Sequence, residues 1–90
     1  MPLPILNSVE DVCAALRAAI AATLPDAQIR VAANSPGHFE VEVVSAAFAG
    51  KSMVQQQQLV YGAIKELMAG DGAPVHAVDR LRTKTPPLPS

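Results

Sequence analysis

The sequence predicts an α/β fold built in the order helix, strand, strand, helix, strand (α-β-β-α-β). Three observations carry this. Apolar residues from Val9 to Leu24 recur at helical spacing, HFEVEVVS from His38 alternates with a period of two, and a second helical stripe from Val54 to Met68 precedes another apolar-rich run. Two strands joined by a short turn pair antiparallel. A helix of about 16 residues between two strands returns the chain to a parallel neighbour. The result is a three-stranded mixed sheet.

Each element has its own signals. Ser8 is a good N-cap, and Glu10 and Asp11 sit where the helix dipole favours acid. Val9, Val12, Cys13, Leu16, Ile20 and Leu24 form one stripe, and Pro25 ends the helix near Thr23 or Leu24. Cys13 lies in that stripe and reads as a small buried hydrophobe rather than a reactive thiol. Residues 27–32 alternate as a first strand, with Ile29 and Val31 on one side, and Asn34-Ser35-Pro36-Gly37 is a turn by composition. In the second strand Phe39, Val41 and Val43 face one way and His38, Glu40 and Glu42 the other. Ser52 and Gln55 have capping-box spacing before the second helix, and Gly70 suits its end. The run Gln55 to Gln58 therefore belongs to the first turns of a helix. Successive helical residues rotate by about 100°, so one amide, Gln56 or Gln57, must approach the sheet. Residues 75–84 form the third strand. Val75, Ala77 and Leu81 share one parity and Val78 the other. A β-bulge near Asp79 and Arg80 would put Val78 and Leu81 on one face, and periodicity alone leaves that register open.

Ninety residues make one domain. Residues 1–7, with two prolines, read as an extended segment, residues 8–85 as the domain, and residues 86–90 as a mobile proline-rich tail. Only Phe39, Phe48 and Tyr61 are aromatic, so the core must be aliphatic. Seven basic and eight acidic residues leave a net charge of −1, which gives bulk attraction to neither nucleic acid nor membrane. A lone cysteine makes no internal disulfide and fits a reducing cytoplasm. The opening MPLPILNS has no basic or apolar run of a signal peptide.

Motifs for catalysis are missing. The chain has no G-x-G-x-x-G, P-loop or H-E-x-x-H, and Ser45 and Ser52 have no evident base, so no enzyme is expected. Topology offers more. If the second and third strands are parallel neighbours, His38 and His76, the only histidines, lie at one edge of the sheet. Two ligands are too few for a closed metal site, so any metal there needs ligands from a second molecule. Arg80, Arg82 and Lys84 recur at strand period. They read as a solvated face, or else as a basic stripe that, with Lys51 at the start of the second helix, would meet phosphates.

The stretch HFEVEVVSAAFAGKSMVQQQQLVYGAI, the later VHAV and the closing Thr85-Pro86 resemble the BolA family, and more closely its short bacterial branch. LPDAQIRV resembles that family's first strand. The resemblance covers His38 to Pro86. It implies a type II KH-like domain with both helices on one face of the sheet and no enzymatic activity. It also implies a partner, a monothiol glutaredoxin of the CGFS type with glutathione, and a shared [2Fe–2S] cluster in iron–sulfur trafficking or iron and stress regulation. The free protein is then expected without cluster, as a monomer or weak homodimer.

His76 matches the family's cluster-binding histidine. In many members a second ligand, His or Cys, comes from the loop between the first two strands. That loop has neither here, and His38 at the strand start is the nearest substitute. Two imidazoles on one iron would raise the reduction potential over an all-thiolate cluster. They bind in neutral form, so assembly should weaken below about pH 6.5. Two further departures are one additional residue between His76 and Thr85 and a closing PPLPS where many members carry another helix. Family members described as transcriptional regulators supply a second reading, a small DNA-binding protein. Relatives carry Arg and His where Gln55 to Gln58 stand, and the neutral amides weaken that alternative.

Overall fold

The computed structural model describes residues 8–70 and 72–87, so the opening segment, Asp71 and the last three residues of the tail lie outside it. The elements are α1 (Val9–Thr23), β1 (Gln28–Ser35), β2 (His38–Val44), a 3₁₀ turn (Ala46–Phe48), α2 (Met53–Met68) and β3 (Ala77–Lys84). The sheet order is β1-β2-β3, with β1 antiparallel and β3 parallel to β2. Among the described residues no helix is long and apolar enough to cross a membrane.

Both helices start as their sequences require. Ser8 Oγ accepts from Asp11 N–H at 3.1 Å. Ser52 and Gln55 form a reciprocal capping box, with Gln55 N–H donating to Ser52 Oγ at 3.2 Å and Ser52 N–H to Gln55 Oε1 at 3.0 Å. The buried residues of α1 are Val12, Leu16 and Ile20, and those of α2 are Val60 and Ile64. They close over Phe39, Val41 and Val43 of β2, together with Leu24, Phe48 and Val75. Both helices thus cover one face of the sheet. Each such side chain contributes about 1.5–3 kcal/mol by leaving water. The stripes are narrower at their ends than the spacing suggests: Val9 stays 45% exposed, Met53 57% and Val54 61%, and Cys13 is only partly buried.

The third strand carries the bulge. Phe39 pairs with Val78 and Glu40 with Arg80, so Asp79 is the additional residue. Val78 and Leu81 then share the covered face with Phe39 and Val41, and Thr83 follows them inward, 6% exposed. A threonine there needs a partner for its hydroxyl. Gln56 supplies it: Thr83 Oγ1 donates to Gln56 Oε1 at 2.8 Å. Gln56 Nε2 in turn donates to the Lys51 carbonyl at 3.0 Å and the Phe48 carbonyl at 3.5 Å. One glutamine of the four therefore ties the start of α2 to β3 and to the preceding turn.

Two boundaries and one short element differ from the sequence reading. β1 runs on to Ser35, because Asn34 is a second bulge residue, between the pairs Ala33–Phe39 and Ser35–His38. β3 begins at Ala77 rather than residue 75. Val75 is fully buried with its N–H on the Leu67 carbonyl, so it belongs to the return from α2. The Ala46–Phe48 turn carried no periodic signal. It forms because Asp26 Oδ2 accepts from Ala46 N–H at 2.8 Å and Ser45 Oγ from Ala47 N–H at 3.1 Å, while Ser45 Oγ donates to Asp26 Oδ1 at 2.8 Å. Those bonds, Ala46 first and Ser45 second, hold the Asp26 carboxyl below the usual carboxylate range.

The turn between β1 and β2 is Pro36-Gly37, with Gly37 at φ +78°. Pro then Gly with positive φ is the signature of a type II turn. Such turns splay a hairpin; a bulge increases local twist, and one lies at Asn34 beside this turn. Gly37 is constrained twice. Its carbonyl accepts from both His76 N–H (2.8 Å) and Ala77 N–H (3.0 Å), and a Cβ there would overlap the His76 ring, within 2.8 Å of Cγ.

Replacing Gln56 by Ala leaves the Thr83 hydroxyl only the weakly accepting Met53 sulfur at 3.4 Å and should lower stability by about 1–3 kcal/mol in urea unfolding. Asp26→Asn tests the lock at the other end of the sheet. A depressed carboxyl contributes stability above its unfolded value and loses it as pH falls through its folded value. The deficit of the variant should therefore be full at neutral pH, begin to shrink as pH falls past about 4, and close only below the lowered folded value of Asp26; a pH-independent deficit in thermal melts would contradict this. Gly37→Ala combines left-handed strain with the clash. It should cost at least about 1 kcal/mol and shift the His76 ring resonances more than any other aromatic signal.

Candidate functional site at the start of the parallel strands

Parallel pairing brings the starts of β2 and β3 to one end of the sheet, where His38 pairs with Ala77 and His76 directly precedes it. His38 opens β2 and His76 lies in the segment just before β3, and they are held differently. His38 stands on the uncovered face with Glu40 and Glu42, half exposed. His76 is exposed, its ring rests on Gly37, and it borders a shallow hollow with Met68, Gly70, Gly72, Ala73 and Val75 at the end of α2. The common end is as the topology predicts. The different settings come from the backbone, since His76 lies before the ladder begins.

The partners of His38 come from the two bulges. In a regular strand Asp79 and Arg80 would face opposite ways. The register shift turns both toward the uncovered face. Asp79 Oδ1 lies 3.0 Å from His38 Nδ1, and Asp79 Oδ2 accepts from Asn34 Nδ2 at 3.0 Å. Asn34 and Asp79 sit on the two outer strands, so their bond spans the central one at His38. The Asn34 and then the His38 hydrogen bond hold the Asp79 carboxyl below the usual carboxylate range. A carboxylate only accepts, so of the two neutral tautomers the one that fits this contact carries its proton on Nδ1 and leaves a lone pair on Nε2.

Asp79 and Asn34 were not singled out by the sequence as site residues. The signal for Asp79 was present in the parity break of the third strand. Asn34 had only turn composition.

Chemically, this end of the sheet offers two imidazoles, a partial donor set for a thiophilic metal centre. Among the described residues no group of three or more His, Cys, Asp or Glu is arranged to hold a metal ion. A complete coordination sphere would need a second molecule.

The basic residues divide. Arg80 and Arg82 pair with Glu40 and Glu42, and Arg30 flanks Glu42 from β1. Lys84 Nζ lies 3.9 Å from Glu42 Oε1. Acid alternates with base across this face, which flattens the potential a phosphate backbone needs. Lys51 is exposed in the connection to α2, in the helical layer. It thus lies on a different layer from the other three, which belong to β3.

Comparison with known proteins agrees with this architecture. A family model described as BolA-like protein matches residues 16–87. Mouse BolA-like protein 1 is 46% identical over 56 residues, which cover 62% of this chain and 38% of the mouse protein. Its bovine counterpart is 43% identical over 53 residues, covering 59% of this chain and 36% of that protein. The matched stretch thus spans well under half the length of these relatives. The solution structure of mouse BolA1 superposes with a TM-score of 0.66 at 33% identity, covering 96% of this chain and 72% of that one. The BolA domain of SufE1 from Arabidopsis thaliana shares the fold, with a TM-score of 0.72 at 23% identity over 88% of this chain and 96% of that domain. With the family model running from the middle of α1 past the end of β3, the chain belongs to the BolA-like family.

Proposed function

We propose that this chain is a non-enzymatic adapter that pairs with a monothiol CGFS glutaredoxin and glutathione to share a [2Fe–2S] cluster, in iron–sulfur trafficking or iron and stress regulation. The observation that carries the reading is an exposed His76 beside His38 at one end of the parallel strands, in a chain of the BolA-like family. In this reading His76 is the principal ligand and His38 the second, and the partner and its glutathione supply thiolates. A shared cluster supplies iron and sulfide for transfer or an electron-accepting centre for sensing. The chain's own residues hold the imidazoles in place and leave them open to a docking protein. Gly37 supports one ring and Asp79 the other.

The uncovered sheet face favours this over DNA binding, because Glu40 and Glu42 sit among its arginines. The deciding experiment mixes the protein with a CGFS glutaredoxin, iron, sulfide and glutathione, and records visible absorption and circular dichroism. Removing a metal ligand costs at least the roughly tenfold expected for an outer-sphere partner. His76→Ala should therefore weaken the mixed complex by more than about tenfold and erase its distinctive dichroism. An unaltered spectrum would remove His76 from the ligand set. No mixed spectrum with the wild-type protein, together with salt-dependent binding to duplex DNA, would move the assignment to the nucleic-acid reading.

A further inference from the structure

We infer that Asp79, the bulge residue of β3, is a positioning residue that fixes the tautomer and orientation of His38 and so presents its Nε2 as a ligand. The inference rests on the adapter reading for what the ligand meets, and on the geometry alone for what Asp79 does. Three observations support it. Asp79 is the additional residue of the register shift, so it faces the uncovered side only because the bulge is there. Its Oδ1 lies 3.0 Å from His38 Nδ1. Its Oδ2 is held at 3.0 Å by Asn34 Nδ2, itself the bulge residue of β1. The carboxylate is therefore fixed from the far strand and cannot rotate away without breaking a second bond.

Metal-binding histidines commonly give their other ring N–H to a carboxylate, which sets the tautomer and raises the basicity of the donor nitrogen. Here that arrangement stands ready on a histidine at the open end of the sheet. It also supplies what the turn between β1 and β2, with neither His nor Cys, does not. Among the described residues no carboxylate is hydrogen-bonded to the His76 ring, which rests against Gly37. The two imidazoles are thus oriented by different means, one by hydrogen bonding and one by packing.

A purely structural clamp between the bulges would use the same contacts, so the test reads the ring nitrogens. Long-range ¹H–¹⁵N spectra of the free protein at neutral pH should show His38 with its proton on Nδ1. In Asp79→Ala it should shift toward the Nε2–H form, while His76 is unchanged. Asp79→Asn keeps the shape of the side chain without its charge and should fall between, which protects the test if the alanine variant unfolds. A wild-type His38 carrying its proton on Nε2, or the same tautomer ratio in all three proteins, would overturn the inference. In the reconstituted glutaredoxin complex, Asp79→Asn should weaken cluster retention by about 10–100-fold and shift the reduction potential. If the cluster forms and neither quantity moves, His38 is not presented as a ligand. If the wild-type protein holds no cluster, the adapter reading fails, and the tautomer spectra still decide the role of Asp79.

Discussion

The arrangement depends on β2 as the central strand. It is bonded on both edges, antiparallel to β1 and parallel to β3, and its alternation is unbroken. Phe39, Val41 and Val43 receive both helices, and His38, Glu40 and Glu42 are left on the other side. A one-residue slip of this strand would exchange the two sets. Burial of three side chains, each worth about 1.5–3 kcal/mol, opposes that slip. The flanking strands must then fit a template that does not yield. Both do so by bulging at the same end, at Asn34 and at Asp79.

Those two irregularities link fold and site. Each bulge solves a local packing or twist problem, and each turns a short polar side chain onto the uncovered face beside His38. The opposite end of the sheet is closed by a different polar lock, in which Asp26 holds Ser45 and the backbone of Ala46. One end is thereby sealed by satisfied bonds within the chain. The other keeps two imidazole rings at the surface.

The glutamine run shows how composition and packing divide the work. Its helical character follows from the capping box and from unbranched side chains. Its interior role falls to Gln56 alone, because rotation along the helix brings that amide over Thr83, the polar residue that the β3 register turns inward. A charged side chain in that position would have to be desolvated against a hydroxyl and two carbonyls, which is costly. The neutral amide meets donor and acceptors together.

The sequence by itself determined the element order, the mixed sheet, the faces of β2, both helix caps and the family. These rest on local periodicity and on near-neighbour bonds that residue spacing encodes. It also signalled the bulge in β3, through a parity break that no regular strand could accommodate. Only the tertiary structure decided that Asp79 meets both His38 and Asn34, that Asp26 locks Ser45, and that His76 lies on Gly37 while His38 stands with Glu40 and Glu42. Such contacts join residues far apart in the chain, or depend on where a ladder begins. A single polar residue in a turn or at a bulge leaves no periodic trace of the partner that will reach it.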